Sequence, residues 1–496
     1  MEVKVDLVVE RKHMFIGLDL GTSGLRALLV DEAGRAVGEA DSSYDVAHPT
    51  VGWSEQDPSD WTMACKAVMA RLRDTHPKAF GAVRGIGISG HMHGATLLDD
   101  AGTVLRPCIL WNDTRSHLEA AALDAMPMFR ALTGNIVFPG FTAPKINWVA
   151  KHEPEVFAKT AMVLLPKDYI SFWLTGIYSA DMSDSAGTSW LDVGARDWSN
   201  DLLAATGLTR SQMPKLSEGS QVVGELRQAI AEEYGLPRGV QVVAGGGDNA
   251  VAACGVGAMS EGTGFVSLGT SGVLLAGRDG FSPMVDSAVH TFCHAVPDQW
   301  YQMGVVLAAT DSLNWLARIT GKSPADLTAE LGDTLRSPTT VQFYPYLSGE
   351  RTPHNDSAVR AGFVGLDVAT DRAEMTQAVL QGVSFALRDS LEALRLTGAN
   401  LDTILAIGGG ARSSYWVEML ATVLNLKIEL PEQGDFGAAL GAARLAICGV
   451  TGAAVEDVMA KPPVAKTIVP NAAMVDSYRL RYDQFHDNFP SWKTIQ

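Results

Sequence analysis

Asp19 stands two residues before Gly21-Thr22-Ser23-Gly24, so a carboxylate lies beside two hydroxyls and a run of backbone amides. That combination holds phosphate oxygens and a hydrated Mg²⁺. An ordinary hairpin turn has the same composition, and the motif alone does not separate the two readings. The turn recurs, however: Phe265-Val266-Ser267-Leu268-Gly269-Thr270-Ser271-Gly272-Val273 echoes Gly17 to Leu25, with Gly21 and Gly269 248 positions apart. Two such turns facing one another form a clamp for a phosphate chain. Neither copy matches the GxxxxGK[ST] loop, and the chain has no strand-linked GxGxxG with a following acid, so P-loop and dinucleotide chemistry are unsupported. Asp248 sits in Gly245-Gly246-Gly247-Asp248-Asn249-Ala250. The glycines leave room around its carboxylate and Asn249 is at hand to orient it, as a general base requires. A lone turn Asp also serves as a cap, and the residue types leave the two readings level.

Gly90-His91-Met92-His93-Gly94 closes an apolar run, and open α/β sheets place ligand contacts at such strand ends. The two histidines lack a convergent third metal ligand, so the segment reads as hydrogen bonding to a polar ligand. Trp111-Asn112-Asp113-Thr114-Arg115 and Ser348 to Asn355 are dense polar segments that suit a polyhydroxylated ligand or a solvated loop. Gly408-Gly409-Gly410 follows an apolar run and precedes Ser413 and Ser414, either of which can cap a helix whose positive end suits a nucleotide.

These residues need elements to carry them. Phe15–Leu20, Leu25–Val30 and Arg35–Ala40 read as an antiparallel meander. Asp57 and Pro58 open a helix to Asp74, with Trp61, Ala64, Cys65, Val68, Met69 and Leu72 on one face. Val83–Ser89 is a strand that the helical crossover sets parallel to the first. Gln241–Ala244 is a buried strand running into a bend at 245–250, with a lobe boundary nearby. Arg372–Leu396 reads as a helix and Ile404–Ile407 as a strand. The repeated turn predicts two related lobes.

With 496 residues, 47% hydrophobic and 19% charged, the chain can build several large cores. Its net charge of −17, without basic clusters, opposes binding to nucleic acid or anionic membranes. The five cysteines form no CxxC pair and read as reduced thiols, which favours the cytoplasm. No apolar run reaches the ~18 residues of a membrane span. Residues 1–13 are set aside as an extension or tag.

On the motifs Asp19–Ser23, Gly269–Ser271 and Gly408–Arg412, with the signatures Pro139–Trp148 and Gly362–Gln381, the sequence resembles the FGGY family of carbohydrate kinases from Met14 onward. Met92–Gly94, Trp111–Asp113, Leu165–Tyr169, Gly247–Asn249 and Ser348–Asn355 resemble most closely the branch of that family that phosphorylates D-xylulose; His91 departs from it, where glutamine is expected. The resemblance implies an α/β fold of two ribonuclease H-like lobes of the actin and sugar-kinase type: a sugar-binding lobe at 14–257, a nucleotide-binding lobe at 258–489 and a tail at 490–496. It implies transfer of the γ-phosphoryl group of ATP to O5 of D-xylulose in the cleft between the lobes. Asp248 is the implied base and Asp19 the organiser of Mg²⁺, through water. Met92, His93, Asn249, Trp111 and Asp113 would hold the sugar. Gly21, Thr22, Ser23, Gly269, Thr270, Ser271, Gly409, Gly410 and Ser414 would hold the nucleotide. A homodimer is expected by likeness alone. The alternatives are a family member acting on L-ribulose, L-fuculose, gluconate or glycerol, or an actin-like or chaperone-like ATP switch.

Overall fold

The computed structural model describes residues 13–432 and 437–495, so the extension read at 1–13, apart from His13, lies outside the described residues. Three strands, β1 (Met14–Leu20), β2 (Gly24–Asp31) and β3 (Ala36–Ser43), form the expected meander. Helix α1 (Pro58–Thr75) follows, with the Asp57 side chain accepting from Ser59 N and proline in the first turn. A side-chain cap of this kind stabilises a helix by about 1 kcal/mol. The crossover returns the chain as β4 (Val83–Gly90), parallel to β1.

Among the helices that follow, α2 (Thr142–His152), α3 (Pro166–Thr175) and the short α4 (Met182–Ser185) precede the outer strands β5 (Val222–Glu225) and β6 (Gln241–Val243). The sheet order is β5-β6-β4-β1-β2-β3. The bend read at 245–250 proves narrower. Gly245 alone takes a left-handed φ of 76°. Gly246–Gly247 then form β7 against the end of β4, and Asp248 begins helix α5 (Asp248–Val256). Small side chains after the turn let the backbone coil at once.

The second half repeats the plan. β8 (Gly264–Leu268), β9 (Gly272–Arg278), β10 (His290–Cys293) and β11 (Trp300–Val306) are antiparallel, and helices α6 (Thr310–Thr320) and α7 (Arg372–Leu396) follow. β12 (Thr403–Ile407) then runs parallel to β8, as β4 does to β1. Helix α8 (Ser414–Leu424), β13 (Lys427–Pro431), helix α9 (Gly437–Thr451), β14 (Val464–Ile468) and α10 (Val475–Thr494) close the chain. The sheet order, β10-β11-β9-β8-β12-β13-β14, matches the first strand for strand from β3 to β5, with β10 added at one edge. The fold is therefore the two-lobed ribonuclease H-like α/β architecture. Residues 490–494, read as a tail, continue α10, because Trp492 stacks on Tyr344 at 5.2 Å and donates to Arg360 O.

Alternation along β1 decides which side the chemistry faces. Ile16, Leu18 and Leu20 pack with α1, whereas Phe15 belongs to the core between the two sheets. Gly17 and Asp19 share the face of Phe15 by the period of two. Helices α5 and α9 fill the space between the sheets. Their approach is set by missing side chains: a Cβ on Gly17 would lie 1.8 Å from Ala439 O, one on Gly87 1.9 Å from Ala442 O, and one on Gly441 1.8 Å from Val251 O. Thus α9, late in sequence, lies directly on the first sheet.

Candidate active site

Asp19, the penultimate residue of β1, is half-buried and lines a cavity of about 350 Å³ with Gly21, Ser23, Arg26 and Asp41. Burial pushes its carboxyl up, against the pull of the Arg26 charge. The turn after it is held from outside: Tyr44 Oη donates to Gly21 O (2.5 Å), Gln56 Nε2 to Thr22 O (2.7 Å) and Trp111 Nε1 to Thr22 Oγ1 (3.0 Å). Trp111, expected at the sugar, donates to the first glycine turn. Gln56 had no signal in the sequence, since its partner is 34 residues away.

The second turn is braced by α6. Ala309 N donates to Thr270 O (2.8 Å), and Thr310 N and Oγ1 donate to Gly269 O (3.0 and 2.8 Å). These bonds engage the carbonyls of Gly269 and Thr270. Gly408, with φ of 89°, packs on Leu268 O. The third glycine turn therefore sits beside the second. Gly409 and Gly410 line a cavity of about 440 Å³ with Thr310, Asn314, Thr328, Arg412, Ser413 and Trp416. Ser413 is also the α8 cap, accepting from Trp416 N, whereas Ser414 is exposed in the first turn.

Asp248 lies beside the end of β4. Its Oδ1 accepts from Asn249 N (2.7 Å) and Asn249 Nδ2 (3.0 Å), which leaves Oδ2 to take a proton. Burial pushes the carboxyl up to about 7 against the pull of the Asn249 amide, and the Asp19 charge adds to the rise. A base poised near neutrality is suited to proton removal from a hydroxyl. Gly247 packs on Met92: a Cβ there would lie 2.9 Å from Met92 Cγ.

His93 adopts a left-handed φ of 71°, uncommon for a residue with a side chain. Its carbonyl is held by Lys145 Nζ (2.8 Å) and Thr142 Oγ1 (3.1 Å), both from α2. Neither residue was given this role from sequence. His93 Nδ1 lies 2.7 Å from Gly187 O. The carbonyl can only accept, so Nδ1 carries the proton and Nε2 presents a lone pair to a hydroxyl donor. Burial lowers the ring to about 3, so it stays neutral.

The ring stacks on Phe141 (4.5 Å), which packs with Phe138 (5.5 Å) and His290 (5.8 Å). Arg351, from the second polar segment, lies over Phe138 (4.6 Å) and 3.3 Å from His290 Nε2. Residues from both halves of the chain thus close one wall. His91 instead packs on Trp61 (5.7 Å), whose core lies on the α1 side. The Asp113 carboxylate is taken up by Arg115 (2.7 Å) and Ser54 N (2.6 Å). Arg115 in turn binds Glu55 (2.7 Å) and lies over Trp53 (3.6 Å).

The five cysteines are free and buried, and among the described residues no helix is long and apolar enough to cross a membrane. The model of the FGGY family of carbohydrate kinases, N-terminal domain, matches residues 14–255, and that of the C-terminal domain matches 264–450. Xylulose kinase of Escherichia coli (strain K12) is 45% identical over 477 residues, 95% of this chain and 98% of its own. Xylulose kinase of Klebsiella pneumoniae is 44% identical over 493 residues, 97% of this chain and 100% of its own. A solved structure described as a xyloylose kinase from Brucella ovis superposes with a TM-score of 0.95 at 55% identity, covering 98% of this chain and 100% of the other.

Proposed function

The chain belongs to the FGGY family of carbohydrate kinases, and from that premise we propose that it transfers the γ-phosphoryl group of ATP to O5 of D-xylulose, with Asp248 as general base. The observation that carries this reading is the junction at the end of β4, where Gly247 packs on Met92 and sets Asp248 beside the His93 segment. The ketose lies against this segment: His93 Nε2 accepts from one of its hydroxyls, and the Met92 backbone and Asn249 contribute further contacts. As O5 attacks phosphorus, its proton passes to Asp248 Oδ2, the O5–P bond forms, and the bond from phosphorus to the β,γ-bridging oxygen breaks to release ADP. Phosphoryl transfer depends mainly on positioning and on stabilising charge. The two glycine turns supply that positioning through backbone amides, with the adenosine end of ATP in the cavity at Gly409 and Gly410.

The donors around Asp19 fit Mg²⁺: a carboxylate at a cavity mouth with the Ser23 hydroxyl beside it offers oxygen ligands and room for water. Bound there with the nucleotide, the ion would neutralise phosphate charge. The relatives at 44–45% identity are xylulose kinases over nearly their whole length, which favours neither another sugar nor an ATP switch. A panel of ketoses and polyols with coupled detection of ADP tests the reading. D-xylulose is expected to give the highest kcat/KM; release of ADP independent of any sugar contradicts it.

The pH dependence follows from the sign of the Asp248 shift. Its folded value lies above the ordinary 3.8, at about 7, so the group is a neutral acid below that point and a base above it. Activity on D-xylulose is expected to rise with pH through about 7, falling about tenfold per unit on the acid side. Between 3.8 and about 7 the folded chain binds a proton that the unfolded chain releases, so the same group lowers stability as pH rises through that window. Initial rates from pH 5 to 9 at saturating ATP give the activity curve. A flat profile across neutrality contradicts the assignment.

A further inference from the structure

Behind Asp248 lies a buried group that the reaction does not touch. Lys167 is fully buried, with its Nζ against Asp168 and 2.8 Å from Asp181 Oδ1. Asp168, Asp181 and Asp184 bring carboxylate oxygens within 4.8 Å of one another. The Lys167 ammonium already stands among them, so the chain itself supplies the counter-charge. Asp181 caps α4: its Oδ2 accepts from Ser183 N (2.6 Å), Ser183 Oγ (2.5 Å) and Asp184 N (3.3 Å). The Ser183 hydroxyl, whose hydrogen is directed at Asp181, accepts from Gly247 N at 3.1 Å through its oxygen. That amide belongs to the residue immediately before the base.

The same segment reaches the sugar side four residues on. Gly187 O accepts from His93 Nδ1 at 2.7 Å, the contact that fixes which imidazole nitrogen is left for the ligand. The approach on each side depends on glycine. A Cβ at Gly187 would lie 2.5 Å from His93 Cε1, one at Gly246 2.8 Å from Ser183 Oγ, and one at Gly90 2.8 Å from Lys167 Cβ. One short piece of chain therefore holds both the backbone that aims the base and the ring that orients the ketose, and it is tied to the body of the lobe through Lys167.

We infer that the segment 181–188, anchored by the Lys167–Asp181 ion pair, sets Asp248 and His93 in register with one another, and that Ser183 and Asp181 are positioning residues for phosphoryl transfer. The inference rests on Asp248 being the base and on His93 facing the sugar. Small errors in aim are costly when a proton and a nucleophile must move together, and a displacement near 1 Å can cost about a hundredfold in rate.

The test compares Ser183→Ala, Ser183→Thr and Asp181→Asn with the parent and with Asp248→Asn, reading kcat, both Michaelis constants and the melting temperature. Ser183→Ala is expected to lower kcat on D-xylulose by about tenfold to a hundredfold, with the ATP constant unchanged. Ser183→Thr, which keeps the hydroxyl, restores most of the loss. Asp181→Asn reads the same chain one link further back and gives the same split between kcat and the ATP constant, so the inference does not hang on one variant. If Ser183→Ala turns over within twofold of the parent, or if its loss disappears on cooling below its melting transition, the hydroxyl serves packing alone and the inference fails. Parent-like turnover in Asp248→Asn instead overturns the base assignment, whatever Ser183 does.

Discussion

Asp248→Asn is expected to lower turnover on D-xylulose by about a hundredfold or more, the scale of removing a general base, while fold and nucleotide binding persist. The amide is isosteric with the carboxyl, so the contacts of Asn249 N and Nδ2 with the first oxygen position can survive the change. What is lost is the second oxygen as a proton acceptor, since an amide nitrogen has no lone pair to offer. The cavity proposed for the nucleotide is lined by Thr310, Gly409, Gly410 and Trp416, and the hydrogen bonds of Asp248 run to Asn249 instead. Its affinity, read by isothermal titration with ADP, is therefore expected to match the parent. The substitution also removes the Asp19 and Asp248 charge repulsion noted above, so the variant melts at or above the parent temperature. Near-normal turnover in a folded variant contradicts the assignment of the proton acceptor.

Gly87→Val is expected to cost the fold more than any substitution in the site. The added Cβ would stand 1.9 Å from Ala442 O and 2.7 Å from Ala442 C, so the obstacle is the α9 backbone and no rotamer change relieves it. Strand β4 cannot retreat, because β1 and β6 flank it in the sheet. Overpacking a core costs typically 1–3 kcal/mol even where side chains can give, and here neither partner yields. Against a total stability of roughly 5–15 kcal/mol, a loss of about 3 kcal/mol or more is severe. Differential scanning calorimetry is expected to show a midpoint lower by about 5 °C or more. A variant that melts with the parent would show that α9 does not rest on β4.

Much of this architecture is written in local sequence signals. The meander, the capped helix from Pro58 and the long helix Arg372–Leu396 follow from spacing and end residues within a few positions. The repeated Gly-Thr-Ser-Gly turn points to the duplicated sheets, and Ser267 stands in the second copy where Asp19 stands in the first, so the acid belongs to one copy alone. Other features arise between segments with no shared period. Nothing near Gly437 says that α9 docks on β1 and β4, because the cause is the absence of side chains at Gly17 and Gly87. Lys145 and Thr142 hold the carbonyl of a residue 52 and 49 positions earlier. Asp113 looked available in a polar segment, yet a neighbour two residues on, Arg115, takes both its oxygens. Polar residue types mark a site's vicinity; which of them face the ligand is settled by pairings across the chain.

The identity of the phosphorylated product bears most directly on the whole account. Incubation of the protein with D-xylulose, ATP and Mg²⁺, followed by phosphorus NMR with proton coupling, is expected to show a monoester coupled to the C5 protons of the ketose, formed in step with ADP. A phosphate on C1, or inorganic phosphate in place of an ester, would contradict the alignment of O5 between Asp248 and the nucleotide.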